Sequence, residues 1–112
     1  MIVTIVRFPP ADEPLSIDQA REAFAQTAPS YLEKPGLLWK AYLRADDKRT
    51  VGGVYWWVDR ASAEAVYTPE WHAGVTAKYG GEPTVEWFET PLVVDRRFSM
   101  IRTQAPLESV EG

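Results

Sequence analysis

The chain has 112 residues, 46% of them hydrophobic and 25% charged, with 12 basic against 16 acidic side chains and a net charge of -4. That length reads as a single domain, and the acidic balance argues against nucleic-acid binding, which requires a basic footprint. There is no cysteine, which excludes disulfides, thiolate metal sites and a thiol nucleophile and is compatible with a cytoplasmic setting.

Ile2 to Phe8 is a β-rich run stopped by Pro9-Pro10, and it reads as a first strand rather than a secretory leader. No stretch of the chain approaches the roughly 20 apolar residues of a membrane span. Ser16 is placed as a helix N-cap, with Gln19 completing a capping box. Ile17, Ala20, Phe24 and Ala28 then recur at spacings of three and four, which predicts one apolar stripe. Pro29 and Lys34-Pro35-Gly36 end that helix. Leu37 to Arg44 is a second strand, and the polar turn Ala45 to Arg49 joins it as a hairpin to a third, Gly52-Gly53-Val54-Tyr55-Trp56-Trp57-Val58-Asp59. Apolar and polar residues do not alternate in this third strand, so cover is expected on both faces. Tyr55 and Trp57 share one face, and Val54, Trp56 and Val58 the other. The glycine pair marks a bulge or a close backbone approach.

Asp59 is suited to cap a short helix running to Tyr67. Thr68 and Pro69 open another, in which Trp71, Val75 and Tyr79 lie four apart and Gly80 is the natural stop. Pro83 to Val94 forms a fourth strand with Pro91 as an edge position or irregularity, and Phe98, Met100 and Ile101 a short extension. Residues 1–103 then make the folded domain and 104–112 a polar, flexible tail. The order strand, helix, strand, strand, helix, strand is the ferredoxin-like α+β pattern: a four-stranded antiparallel sheet with helices on one face. Since helices cover only one face, a second copy of the sheet is the simplest cover for the other, giving a homodimer through sheet faces.

Pro35-Gly36-Leu37-Leu38-Trp39-Lys40, Gly52-Gly53-Val54-Tyr55 and Asp59-Arg60-Ala61-Ser62-Ala63 resemble the YdhR-type monooxygenase family of the dimeric α+β-barrel superfamily, with the likeness running from the first strand to the fourth. The resemblance implies a dimeric α+β barrel and a cofactor-independent monooxygenase acting on a phenol- or hydroquinone-like aromatic molecule. A polar group deprotonates the substrate, and the anion passes an electron to O2 with no metal or flavin, so no cofactor is expected. Characterised relatives use an asparagine with a tryptophan and sometimes a histidine. This chain has no asparagine, and Gln19, Gln26 and Gln104 are its only amides.

His72, the single histidine, titrates near neutrality when unperturbed and is the candidate catalytic base. The alternatives are a surface histidine, or a haem ligand in a non-catalytic domain that binds a hydrophobic molecule. Trp39, Tyr55, Trp57 and Trp71 are the candidate substrate-binding residues, with core and dimer interface as their ordinary explanation. Arg7, Lys40 and Arg44 are strand cations able to hold a carboxylate or phenolate, or else to reach solvent or pair with acids such as Glu86 and Glu89. One histidine and no cysteine leave no multi-histidine metal site. A purely structural dimerisation domain is the remaining class.

Overall fold

The computed structural model describes residues 1–103, so the tail expected over 104–112 lies outside the described residues. The elements run β1 (Ile2–Arg7), α1 (Ile17–Ala25), α2 (Ala28–Tyr31), β2 (Leu37–Arg44), β3 (Val51–Trp57), α3 (Arg60–Glu64), α4 (Pro69–Tyr79), β4 (Thr84–Glu89), β5 (Leu92–Asp95) and β6 (Met100–Thr103). The first four-stranded sheet has the order β2-β3-β1-β4, and every neighbouring pair is antiparallel. This is the ferredoxin-like α+β fold. Among the described residues no helix is long and apolar enough to cross a membrane.

The helix ends follow local chemistry. Ser16 accepts from the Gln19 backbone N–H while the Gln19 side chain accepts from the Ser16 N–H, a complete capping box for α1. Asp59 caps α3 through the Ser62 N–H, and Thr68 caps α4 through the Trp71 N–H with Pro69 in the first turn. Gly80 ends α4 at φ 79°, a left-handed conformation that glycine adopts without penalty. The first helix is shorter than its stripe predicts: α1 stops at Ala25, and Ala28 opens a separate turn, α2, in which Pro29 fits because a first-turn N–H needs no helical partner.

The predicted strand Pro83 to Val94 is two strands. A proline has no N–H to give a ladder, and the Thr90 N–H just before Pro91 goes to the Met1 carbonyl, the last link of β4 to β1. Beyond it the chain leaves the sheet, and Leu92–Asp95 pairs instead with Met100–Thr103. The expected short extension is thus the second arm of a hairpin. Asp95 anchors that hairpin, accepting from Arg97 Nε and Nη2 at 3.0 Å each, which holds its carboxyl below the usual range.

The two faces of the sheet differ. Ile2, Thr4 and Val6 of β1, Tyr55 and Trp57 of β3, and Val85 and Trp87 of β4 lie on the side of the helices, where Trp57, Val6 and Thr4 are fully buried. Val3, Ile5, Val54 and Trp56 lie on the other side with Trp39, Leu43 and Phe88, which keep 40–46% of their surface exposed. The β5–β6 hairpin closes part of this outer face over a cavity of about 390 Å³ whose walls include Val3, Trp39, Val54, Trp56 and Val93.

Within the helix-side core one hydroxyl links sheet and helices. Thr4 Oγ1 accepts from Trp57 Nε1 at 3.0 Å and lies 2.7 Å from the Tyr67 hydroxyl. A threonine hydroxyl has one proton and two lone pairs, so it satisfies both. Thr4→Val keeps the shape and strands both partners, at about 1–3 kcal/mol for each buried group left unpaired. The expected loss is about 3 kcal/mol, or a fall in Tm on the order of 15 °C for a domain of this size. Chemical and thermal unfolding of Thr4→Val and Thr4→Ser check it, with the serine variant retaining most of the stability.

Candidate functional site

Between the helices and the sheet lies a cleft of about 500 Å³. Two ring stacks bound it. Phe24 of α1 stacks on Tyr42 of β2 with centroids 4.6 Å apart, and Phe8 stacks on Tyr79 of α4 at 4.4 Å. Trp71, Val75 and Tyr79, four residues apart, turn one face of α4 toward the cleft as their spacing predicts. Opposite them, β3 offers Tyr55 followed by no side chain at Gly53. A Cβ at Gly53 would stand 3.2 Å from both the Tyr55 ring and the Ala41 carbonyl oxygen, tighter than ordinary packing allows, so glycine lets the Tyr55 ring lie close to the strand.

Lys40 is the group that this geometry singles out. Its Nζ lies 3.3 Å from the ring centroid of Tyr31, 3.9 Å from that of Tyr42 and 4.4 Å from that of Tyr55. It makes no ion pair or hydrogen bond among the described residues. Burial strips water from the ammonium and lowers its pKa from 10.5 to about 7; the ring faces, which attract a cation through their quadrupoles, replace part of that hydration. Burial acts the other way on the surrounding phenols, pushing Tyr55 most, and also Tyr42 and Tyr79, above the usual tyrosine value. Near neutral pH, therefore, the loosely held proton is on Lys40 rather than on these tyrosines.

The other strand cations are spoken for. Arg7 pairs with Glu86 on the outer face, and Arg44 donates to the Leu15 carbonyl at 2.8 Å. Gln19 is committed to its capping box.

Of the candidate substrate residues, Tyr55 and Trp71 both line the cleft. Trp57 is fully buried behind it, stacked on Tyr55 at 5.7 Å, and supports the ring without reaching the open space. Trp39 is on the opposite face of the sheet beside Trp56. The cause is a bulge between Leu37 and Trp39: a regular strand puts these two on one face, and the irregularity sends Leu37 to the helix-side core and Trp39 outward. His72 does not line the cleft; its ring meets the edge of Trp71 at 5.0 Å. The haem alternative read through His72 therefore does not fit the cleft. Among the described residues no cluster of three or more histidines or acids could hold a metal ion.

Residues 6–89 match the family model described as "Putative mono-oxygenase ydhR". No curated protein matches. Among solved structures, a mutant of SnoaB, a cofactor-independent oxygenase from Streptomyces nogalater, is 19% identical with a TM-score of 0.58, over 85% of this chain and 97% of that one. A monooxygenase from the gene ActVA-Orf6 of Streptomyces coelicolor, in complex with nanaomycin D, is 18% identical with a TM-score of 0.61, over 80% and 86%. A protein of unknown function from Nitrosomonas europaea, NE2512, is 18% identical with a TM-score of 0.58, over 80% and 87%. At these identities the likeness is one of fold.

The Lys40 proton couples to folding with a definite sign. The unfolded chain keeps this proton up to about pH 10.5 and the folded chain only up to about 7, so between those values the unfolded state binds more protons and stability rises with pH. Below pH 7 the folded chain carries the full cost of the buried charge. Lys40→Met, which lacks the charge, is expected to gain most in Tm relative to the native chain below about pH 7, with the difference narrowing as pH rises toward 10.5. Paired thermal melts across that range check the slope; a difference independent of pH overturns the coupling.

Proposed function

The chain belongs to the YdhR mono-oxygenase family, and from that membership we propose that it oxygenates a phenol- or hydroquinone-like aromatic molecule in the helix–sheet cleft without metal or flavin. The observation that carries this reading is Lys40, an amine without an ion pair among the described residues, set on an aromatic-lined wall of the cleft with its pKa lowered by burial to about 7. A general base works best when its pKa is close to the operating pH. As a free amine, Lys40 takes the phenolic proton. A phenol near pKa 10 is the weaker acid by about 3 units, or ~4 kcal/mol, and the attraction between ammonium and phenolate in a poorly hydrated cleft offsets that deficit.

The electron-rich anion gives one electron to O2, and the resulting radical and superoxide join to form a carbon–oxygen bond at a ring carbon bearing hydrogen. The Lys40 proton passes to the peroxide, and loss of water leaves a quinone carbonyl. One oxygen atom ends in the product and one in water, and the substrate supplies every electron. Trp71 serves as a ring face against which the substrate lies, while Tyr55, buried and backed by Trp57, forms the floor beneath Lys40. What supports Lys40 as the base in preference to His72 is that the first lines the cleft and the second does not.

Oxygen uptake with a panel of hydroquinones, in metal- and flavin-free buffer, tests this. Lys40→Met is expected to lower kcat/KM by about 10²–10⁴-fold, and the native profile to rise with pH through about 7 as Lys40 loses its proton. His72→Ala should leave uptake nearly unchanged. Loss of activity in His72→Ala with Lys40→Met unaffected returns the base to His72, and no uptake with any hydroquinone overturns the oxygenase reading.

We also infer that a second copy of the chain covers the outer sheet face, making a homodimer. Half-buried Val3, Ile5, Val54 and Trp56, with exposed Trp39, Leu43 and Phe88, form an apolar surface that the β5–β6 hairpin covers only in part. Exposed apolar areas of this kind mark association sites. Light scattering should give twice the 12.7 kDa of one chain, and Ile5→Glu should shift it to the single mass. A native chain that remains at 12.7 kDa removes the dimer.

A further inference from the structure

The charges around the cleft are one-sided in a way that the oxygenase reading does not use. The chain has four lysines and 16 acidic residues. Three of the lysines, Lys34, Lys40 and Lys78, line the cleft, and among the described residues no aspartate or glutamate does. None of the three takes part in an ion pair among the described residues. Elsewhere four arginines are ion-paired, Arg7 with Glu86, Arg21 with Asp18, and Arg97 and Arg102 with Asp95. An acidic protein thus gathers three of its four lysines at an aromatic-lined cleft.

Lys34 and Lys78 differ from Lys40 in position. Lys40 is held among tyrosine rings. Lys34 follows α2 on the way to β2, and Lys78 sits in the last turn of α4, where it is exposed. Each keeps its ammonium beside one ring, Lys34 at 5.8 Å from Tyr31 and Lys78 at 5.4 Å from Tyr79. Rings that line the cleft therefore lie next to the cations at its rim. Like charges gathered in a cleft with low-dielectric walls raise its potential and draw in ligands of the opposite sign.

We infer that the molecule taken by the cleft is an aromatic acid, its ring lying against the tyrosine and tryptophan faces and its carboxylate held by the rim lysines Lys34 and Lys78. This rests on the cleft being the ligand site proposed above, and it adds the substrate class: an anionic arene. The arrangement divides the labour, because Lys40 remains free to exchange a proton while the rim lysines carry the fixed charge.

Titration calorimetry with naphthoate and with neutral naphthamide, which share a ring system and differ in charge, tests the inference. Naphthoate is expected to bind about tenfold more tightly, a difference of about 1.4 kcal/mol. The preference should fade as salt is raised and the screening length drops from about 10 Å toward 3 Å. In the double variant Lys34→Gln, Lys78→Gln the preference should vanish while naphthamide affinity stays the same. Equal affinity of the native chain for the two compounds overturns the anionic class and leaves the oxygenase reading intact, since hydroquinone-dependent oxygen uptake is measured separately. A preference that survives the double variant and disappears in Lys40→Met overturns the rim assignment and gives the anion to Lys40.

Discussion

A single buried hydroxyl sets the spacing of this fold. Thr4 is on the central strand β1, opposite Tyr55 on one side and Trp87 on the other, and its oxygen is shared by Trp57 of the next strand and Tyr67 of the segment between α3 and α4. Tyr67 in turn meets Tyr55, Trp57, Trp71 and Trp87 with ring centroids 5.0–6.1 Å apart. Fixing Tyr67 by a hydrogen bond thus orients five rings together. A core built from flat, bulky side chains has many near-equivalent packings, and one polar contact with a required geometry selects among them. The cleft depends on this, since Tyr55 and Trp71 are both wall residues and members of the cluster.

The face of β3 toward the helices shows how the room for a ligand arises. Val51, Tyr55 and Trp57 are buried, Gly53 gives the Tyr55 ring room against the strand, and Lys40 from β2 sets its ammonium over that ring. A lysine beside three tyrosines and no carboxylate is a costly arrangement for a structural residue, because a buried ammonium normally finds a counter-charge. A perturbed titratable group in a cleft is a candidate for moving protons, which is the ground on which Lys40 is proposed as the base.

Much of the scaffold was legible from residue chemistry. The Ser16–Gln19 box, the Thr68-Pro69 start and the Gly80 stop are local signals, and each lies where its spacing puts it. The two-sidedness of β3 could be read from its lack of alternation, yet the helix-side identity of Tyr55 and Trp57 could not, because it depends on segments far along the chain. The break at Pro91 was ambiguous for a similar reason: Leu92-Val93-Val94 continues an apolar run, and only the three-dimensional arrangement sends it to a separate hairpin. Lys40 looked like an ordinary strand cation, since its burial is made by Tyr31, Tyr42, Tyr55 and Gly53 together. His72 lies beside the cleft and outside its lining. Neighbours on a helix point about 100° apart, so Trp71 facing the cleft turns His72 aside. In Trp39 the signal was a bulge, which reverses faces without leaving a mark in composition.

The position of β1 also bears on how the chain acquires its shape. The first strand is an inner one, flanked by β3 and β4, with Arg7 meeting Glu86 across 79 residues. The β2–β3 hairpin closes over a short turn and forms from local contacts, whereas β1 must wait for partners made much later. Such distant pairings slow folding, because loop-closure entropy is spent before the contacts return it. During synthesis the Thr4 hydroxyl stays unmatched until Trp57 and Tyr67 have emerged, and the second flank of β1 stays open until β4 follows. The cleft, lined from Phe8 to Tyr79, therefore needs α4 as well as the sheet, and its walls join parts of the chain that have no local reason to meet.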